Sequence, residues 1–136
     1  MQLRPLWTYL LLALFVSMLA TGSIPGSANA LSDRFGDKLL HVLAYGVMAA
    51  LCFQAVRGPR LMQSIASVLI IALLGLMDEL LQSLLPYRNA SLLDWCFDIA
   101  AAIAVITCMN LFTPATTKTS SACEKKSAKP FFQSQD

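Results

Sequence analysis

The sequence has little charge and only one histidine, and both shortages limit the functions it can serve. Charged residues account for 13% of the 136 positions, whereas hydrophobic residues account for 57%. The charges lie in clusters between long neutral runs, a composition typical of a small integral membrane protein rather than a soluble domain. The net charge of +2 is too small to indicate a basic surface for nucleic acid, so we predict no nucleic-acid partner.

Several familiar chemical motifs are also missing. The four cysteines, Cys52, Cys96, Cys108 and Cys123, form no C-x-x-C pair, and three of them lie in hydrophobic runs, where small apolar packing is their expected role. The sequence has no Gly-rich phosphate loop, G-x-S-x-G elbow, H-E-x-x-H helix or internal repeat. A metal site formed by His41 with Glu79 and Asp94 is possible in principle, but a single histidine with carboxylates is a weak metal signature. We therefore predict no disulfide framework, no metal site and no cofactor.

What the sequence does contain is a set of predominantly apolar runs. They cover residues 6–22, 39–56, 61–85 and 92–112. About 20 such residues are enough to cross a hydrocarbon core of about 30 Å. The connections "RGPR" at 57–60 and "PYRNAS" at 86–91 are too short for anything but antiparallel neighbours. We predict an all-α fold, an integral membrane up-down bundle of four transmembrane helices over residues 1–112.

The basic residues predict how this bundle is oriented. With the N-terminus inside, the cytoplasmic segments hold seven Lys and Arg residues and the outer segments three, which favours N-in/C-in. Residues 113–136 are polar and rich in Lys and Ser, and we predict a disordered cytoplasmic tail there. Residues 1–30 also have the pattern of a cleavable signal ending in "ANA". Trp7 and Tyr9 at an expected interface favour an uncleaved first helix instead.

Polar residues enter three of the four runs at one predicted depth. They are Asp37 and Lys38 just before the second run, His41 and Tyr45 within it, Asp78, Glu79 and Gln82 in the third, and Asp94 and Asp98 in the fourth. Helical residues four apart share a face, and the up-down order brings these faces together in the outer half of the bundle. A charge at the bilayer centre costs several kcal/mol without partners. Lys38, His41 and Arg88 are the expected partners for the carboxylates.

The adjacent acids Asp78 and Glu79 diverge by about 100° around a helix. We expect one of them to point into the bundle and the other toward a neighbouring helix or the outer rim. Gln82 can share a face with either acid, and Glu79 is the one we expect to matter most, because we place it deepest among the acids and on a face with Gln82. A polar network that only fixes helix register is the structural alternative. The number of polar groups at one level favours a functional site.

Three segments carry a family resemblance. "DKLLHVLAYG", "DELLQSLLPYRNASLLD" and "WCFD" resemble the VanZ-like family of small bacterial membrane proteins, named for a teicoplanin-resistance protein. The resemblance covers about residues 31–110. It implies a multi-pass protein of the bacterial cytoplasmic (inner) membrane. The polar positions that it implies are Asp37, Lys38, His41, Tyr45, Glu79, Gln82, Arg88 and Asp94. This sequence departs from the pattern at Asp98, where many members have Asn, and at Ala102, where Gly is usual. The departure at Asp98 adds a carboxylate, and we include it among the ligand-binding residues.

The residue types at this site indicate binding of an anion. Lys38, Arg88 and protonated His41 supply cationic groups, and Arg88 is able to bind a phosphate or carboxylate through two parallel hydrogen bonds. Carboxylates, an amide and a phenol surround them and could orient the cations or bond a sugar. We predict that the protein binds or handles an anionic lipid or a lipid-linked cell-envelope intermediate. A link to glycopeptide resistance is implied by the family name alone.

Other functions stay open from the sequence. An intramembrane hydrolase or transferase acting on a phosphate or glycan ester would use His41 as general base and Glu79 as general acid. No obvious nucleophile stands beside His41, so whether the protein is an enzyme is undecided. A proton-coupled carrier is disfavoured, since the helices are neither broken nor repeated. A purely structural or partner-binding membrane protein also stays open, as do a homo-oligomer and a partner membrane protein.

Overall fold

The computed structural model describes residues 2–24, 37–88 and 90–112, and four long helices account for most of them. They are α1 (Pro5–Ser23), α2 (Asp37–Ala55), α3 (Arg60–Ser83) and α4 (Leu92–Phe112). Each helix is long and apolar enough to cross a membrane, which confirms the predicted all-α membrane fold. The N-in/C-in orientation stays a prediction. The predicted tail and the "ANA" segment lie outside the described residues.

The helix ends follow from prolines in the sequence. α1 begins at Pro5 and α3 begins directly after Pro59. Proline is tolerated in a first helical turn because the backbone N–H that it lacks would have no partner there. α3 ends at Ser83 rather than at the predicted residue 85. A proline disfavours helical backbone angles at the residue before it, so Pro86 prevents the helix from continuing through Leu85. The last turn closes instead with a hydrogen bond from the Leu84 N–H to the Leu81 carbonyl.

α2 is the central helix of the bundle. It packs most extensively against α4 and also contacts α1 and α3, whereas α1 lies at the periphery and contacts mainly α2. At one end, two short strands, β1 (Gln2–Leu3) and β2 (Val56–Arg57), pair in antiparallel fashion. This pairing joins the start of α1 to the end of α2. Consecutive helices therefore alternate in direction, as an up-down bundle requires, and α2 and α4 run parallel.

The apolar side chains divide between an interior and a lipid-facing surface. Tyr45, Met48 and Phe53 of α2 are fully or almost fully buried and form the middle of the core with residues of α3 and α4. On α3, by contrast, Leu69 and Leu73 are more than half exposed. Many large apolar side chains on all four helices share this exposure. Such a surface is stable in contact with lipid, whereas in water it would cause the protein to aggregate.

The contact between α3 and α4 is closest at Gly75. A Cβ placed there would lie 3.0 Å from Asp98 Oδ2 and 3.1 Å from Trp95 Cδ1, so only glycine fits without moving a neighbour. The indole of Trp95 donates a hydrogen bond of 2.8 Å to the carbonyl of Ala72. Together these contacts hold the first half of α4 tightly on α3, which places Asp94 and Asp98 beside the acids of α3.

Candidate functional site

Buried polar side chains from α2, α3 and α4 gather at the end of the bundle where the connection between α3 and α4 lies. We call this group the polar cluster; it consists of His41, Tyr45, Asp78, Glu79, Gln82, Asp94 and Asp98. The other buried polar side chain in the described residues is Ser67, in the opposite half of α3. The predicted convergence of three helices at one level is therefore present in the structure.

The most buried pair in the polar cluster is His41 with Asp98. The Nδ1 atom of His41 lies 3.1 Å from Oδ1 of Asp98, and the two side chains are 7% and 0% exposed. With the carboxylate as acceptor, the ring proton stands at Nδ1. The ring of Tyr45 stacks on the imidazole at a centroid distance of 5.9 Å. Asp98 and Tyr45 thus fix the orientation of the only histidine in the chain.

A second pair joins α2 and α4 nearer to the surface. Lys38 Nζ lies 3.4 Å from Asp94 Oδ1, and its side chain is 53% exposed whereas that of Asp94 is 8% exposed. A pair with one solvated partner contributes little to stability. Because Lys38 precedes His41 by three residues and Asp94 precedes Asp98 by four, both pairs form when one face of α2 meets one face of α4.

The adjacent acids of α3 are both buried, and the second of them turns toward a neighbouring helix, one of the two expected directions, rather than toward the outer rim. Asp78 and Glu79 are only 6% and 5% exposed. The reason is that α3 has a neighbour on each side. Asp78 turns toward α2 and accepts hydrogen bonds from the hydroxyl of Tyr45 at 3.4 Å and from Nε2 of Gln82 at 3.0 Å. Glu79 turns toward α4, where its Oε2 accepts a bond of 2.6 Å from the backbone N–H of Ser91.

Asp78 is a member of the polar cluster that was not among the predicted ligand-binding residues. Its spacing of four from Gln82 is the signal that could have identified it, because residues four apart on a helix can bond. The backbone N–H of Ser91 is a second missed contributor. No side-chain pattern indicates it, since a backbone group acts there.

The remaining predicted residues lie at the edge of the polar cluster or outside it. The side chain of Asp37 lies outside the described residues. Arg88 makes no hydrogen bond or ion pair through its guanidinium with the described part of the chain, so it is not the carboxylate partner that we expected. Instead it lines a cavity. The partners found for the carboxylates are Lys38 and His41.

This cavity, which we call the α1–α3 pocket, has a volume of about 250 Å³ and lies among α1, α2 and α3. Its lining residues are Leu14, Ser17, Met18, Thr21, Gly22, Leu40, His41, Ala44, Asp78, Gln82 and Arg88. Polar groups come from all three helices, among them Ser17, His41 and Asp78, whereas the apolar groups come from α1 and α2. It therefore connects the polar cluster with the lipid-facing side of the bundle.

A second cavity of about 330 Å³ lies between α3 and α4 in the opposite half. Its lining is almost entirely apolar apart from Ser64, Thr107 and Asn110. The amide of Asn110 donates a bond of 2.9 Å to the hydroxyl of Ser64. With no charged residue in its lining, this cavity lacks the features of an anion site.

Two buried carboxylate oxygens in the polar cluster have no hydrogen-bond partner among the described residues, Glu79 Oε1 and Asp98 Oδ2. Such atoms are rare in native interiors and call for an explanation. Ligand atoms of His41, Glu79 and Asp94 also lie within 4.8 Å of one another, a grouping able to hold a metal ion. We predicted no metal site because the sequence pattern was weak. The grouping of these three side chains makes a metal site a possibility again.

Comparison with known proteins bears on the family. A family profile described as VanZ/LLP1 matches residues 2–113, which is most of the chain and includes every helix. Comparison with curated proteins and with solved structures gives no match. The match confirms the resemblance that the three segments indicated. This chain therefore belongs to the VanZ/LLP1 family and is a multi-pass membrane protein with four membrane-spanning helices.

Proposed function

We propose that this protein binds the headgroup of an anionic lipid, or of a lipid-linked cell-envelope intermediate, in the α1–α3 pocket. The observation that carries the proposal is the lining of this pocket. It joins Arg88, whose guanidinium makes no hydrogen bond or ion pair with the described part of the chain, to apolar residues of α1, the most exposed of the four helices. We place the protein in the bacterial cytoplasmic membrane, with the pocket in the outer leaflet as the predicted orientation requires.

The size and position of the pocket suit a headgroup rather than a whole lipid. Its volume of about 250 Å³ is below the roughly 300–1,000 Å³ of sites that enclose drug-sized ligands. α1 forms one wall through Leu14 and Met18 and is the most exposed of the four helices. Acyl chains could therefore remain in the bilayer along α1 while the polar part of the lipid enters between the helices.

The polar residues of the α1–α3 pocket offer groups that can bind a phosphate or a carboxylate. The guanidinium of Arg88 could bind such a group through two parallel hydrogen bonds. The hydroxyl residues Ser17 and Thr21 line the same space, although the hydroxyl of Thr21 donates its proton to the Ser17 carbonyl at 2.9 Å. The carboxylate in the lining of the pocket is that of Asp78, which accepts hydrogen bonds from Tyr45 and Gln82. These bonds reduce its repulsion toward an anion, because the donor dipoles face the negative charge.

Family membership supports the link to the cell envelope. The family is named for a teicoplanin-resistance protein, and glycopeptides act on precursors displayed at the outer surface of the cytoplasmic membrane. A protein that binds lipid-linked intermediates there would change what such a drug meets. We include this link in the proposal as a consequence of the lipid site, and the teicoplanin sensitivity of cells that express the protein is its test.

Native mass spectrometry of the detergent-solubilised protein tests the lipid proposal directly. The protein is offered equal amounts of phosphatidylglycerol, which is anionic, and phosphatidylcholine, which is zwitterionic. We expect one phosphatidylglycerol to be retained preferentially. Arg88→Gln should weaken this retention about 10- to 150-fold, because a charge-assisted hydrogen bond contributes about 1.5–3 kcal/mol. Retention by Arg88→Lys should fall between that of the wild-type protein and that of Arg88→Gln. Lysine keeps the positive charge but lacks the planar pair of N–H donors of a guanidinium.

Arg57 supplies the matched control. It is an exposed arginine at the other end of the bundle, in β2, so Arg57→Gln removes the same charge without touching the α1–α3 pocket. Equal loss of retention in both variants would show that the lipid binds by general surface charge. Equal retention of the two lipids by the wild-type protein would refute an anion site.

A hydrolase or transferase is the second candidate, and the pairing of His41 with Asp98 favours it. A buried carboxylate that orients an imidazole is the arrangement by which a general base is held ready. Glu79 would then serve as general acid, its Oε2 bonded to Ser91. Release of inorganic phosphate from an added lipid phosphate, lost in His41→Gln while lipid retention persists, would establish catalysis.

A further inference from the structure

We propose that His41, Glu79 and Asp94 form a binding site for a divalent cation, with Zn²⁺ as the ion that fits best. One ligand atom from each of these three residues lies within 4.8 Å of the other two, and all three side chains are buried. They come from three different helices, so folding alone assembles the set. The inference does not depend on the lipid proposal, because the metal alone is its probe.

The position of Asp98 supports a metal-ligand role for His41. A histidine that binds a metal through one ring nitrogen almost always donates a hydrogen bond from the other to a carboxylate or carbonyl. Asp98 Oδ1 lies 3.1 Å from Nδ1 of His41 and is fully buried. The tautomer with its proton at Nδ1 carries its lone pair at Nε2, so Nε2 is the proposed ligand atom.

Glu79 supplies the second observation. Its Oε2 is held by the N–H of Ser91 at 2.6 Å, which fixes the carboxylate. Its Oε1 is buried and has no hydrogen-bond partner in the described part of the chain. A structure rarely leaves a buried carboxylate oxygen unsatisfied unless an ion or water completes it. A cation bound by Oε1 would satisfy it.

The charges of the polar cluster favour a cation as well. Four acidic side chains, Asp78, Glu79, Asp94 and Asp98, are buried close together. The positive group paired with them in the described structure, apart from the histidine, is the half-exposed Lys38. Buried charges in a membrane helix are costly unless they are paired or coordinate a metal. A divalent cation would offset two of the negative charges at the point where they converge.

The ligand types select among divalent ions. One imidazole and two carboxylates suit Zn²⁺ and, less strongly, Mn²⁺, whereas a dedicated Mg²⁺ or Ca²⁺ site would use oxygen ligands alone. Tetrahedral Zn²⁺ with bonds of about 2.0–2.1 Å brings ligand atoms to about 3.4 Å from one another. The three ligand atoms, which lie within 4.8 Å of one another, would draw closer on binding to reach this spacing. A fourth position would be left for water or a ligand, and His41 also lines the α1–α3 pocket.

The wild-type protein gives the first test. The detergent-solubilised full chain is stripped with a chelator, reloaded with Zn²⁺ alone, dialysed and measured by elemental mass spectrometry. We expect one Zn²⁺ per chain. Reloading with Co²⁺ should give visible absorption bands typical of nitrogen and oxygen ligands, without the near-ultraviolet band of a thiolate. Absence of saturable binding, or a thiolate band, would overturn the proposal, and neither result depends on a variant.

Variants in a chain with all four cysteines changed to serine locate the ion. Glu79→Gln and Asp94→Asn should each weaken Zn²⁺ binding by at least about 100-fold. Asp98→Asn should weaken it by about 10–100-fold, the usual effect of losing the carboxylate behind a ligand histidine. Glu124→Gln, which removes a carboxylate in the tail, is the control and should not change the affinity. Wild-type affinity in Glu79→Gln and Asp94→Asn, with helix content preserved by circular dichroism, would contradict the assignment.

Discussion

The close contact between α3 and α4 makes a sharp prediction for the substitution Gly75→Ala. The added Cβ would lie 3.0 Å from Asp98 Oδ2 and 3.1 Å from Trp95 Cδ1, whereas carbon atoms pack best at about 3.5–4.0 Å. Neither neighbour can yield easily. Asp98 is fully buried beside His41, and Trp95 is bonded to the α3 backbone. Overpacking of this kind reduces stability by about 1–3 kcal/mol.

Gly46→Ala in α2 is the matched control. A Cβ at Gly46 would meet only Val105 Cγ2, at the ordinary distance of 3.5 Å. Both substitutions replace a mid-helix glycine by alanine, which favours the helix by about 1 kcal/mol, and this gain cancels in the comparison. We therefore expect the free energy of unfolding of Gly75→Ala to be about 1–3 kcal/mol below that of Gly46→Ala.

Reversible unfolding of the detergent-solubilised variants in sodium dodecyl sulfate, followed by circular dichroism, measures this difference. If Gly75→Ala is as stable as Gly46→Ala, the helices are not in the close contact described here. The placement of Asp98 against His41 would then lose its basis, because the same contact positions α4. A destabilised Gly75→Ala protein that still binds lipid normally would separate packing from function.

Three further predictions use the same protein. In a background without cysteines, a Cys introduced within 86–91 should react with an impermeant thiol reagent from outside the cell, and one within 57–60 should not; the reverse pattern would invert the predicted orientation. Trp95→Phe should lower the free energy of unfolding by about 0.5–1.5 kcal/mol through loss of its hydrogen bond to α3, and an unchanged value would mean that this bond is not formed. Asp78→Ala should lower it by about 1–3 kcal/mol, since the buried donors of Tyr45 and Gln82 lose their acceptor; a neutral effect would place Asp78 outside the polar cluster.

Most of the fold is predictable from the sequence because membrane helices are marked by length and composition. The four runs of apolar residues and the four helices agree closely, with α3 ending two residues earlier than expected. The strand pair between Gln2–Leu3 and Val56–Arg57 could not be predicted. Two residues carry no detectable alternation, and their pairing follows from where α1 begins and α2 ends in space.

The site is less predictable, because pairing depends on which helices are neighbours. The level of the polar residues follows from spacing along each helix. The pairing of His41 with Asp98 requires α2 and α4 to be neighbours, which an up-down order alone does not determine. Asp78 was missed for a related reason. An angle of about 100° separates it from Glu79, and only the positions of α2 and α4 show that both directions lead inward.

Photo-crosslinking tests the central claim, the headgroup site in the α1–α3 pocket, most directly. A phosphatidylglycerol with a diazirine beside its headgroup is irradiated with the solubilised protein, and the crosslinked residues are found by peptide mass spectrometry. The proposal predicts crosslinks concentrated at 14–22 of α1 and 40–44 of α2, reduced by excess unlabelled phosphatidylglycerol but not by phosphatidylcholine. Crosslinks spread evenly over the lipid-facing helices, or concentrated near Ser64 and Asn110 in the apolar cavity, would contradict it.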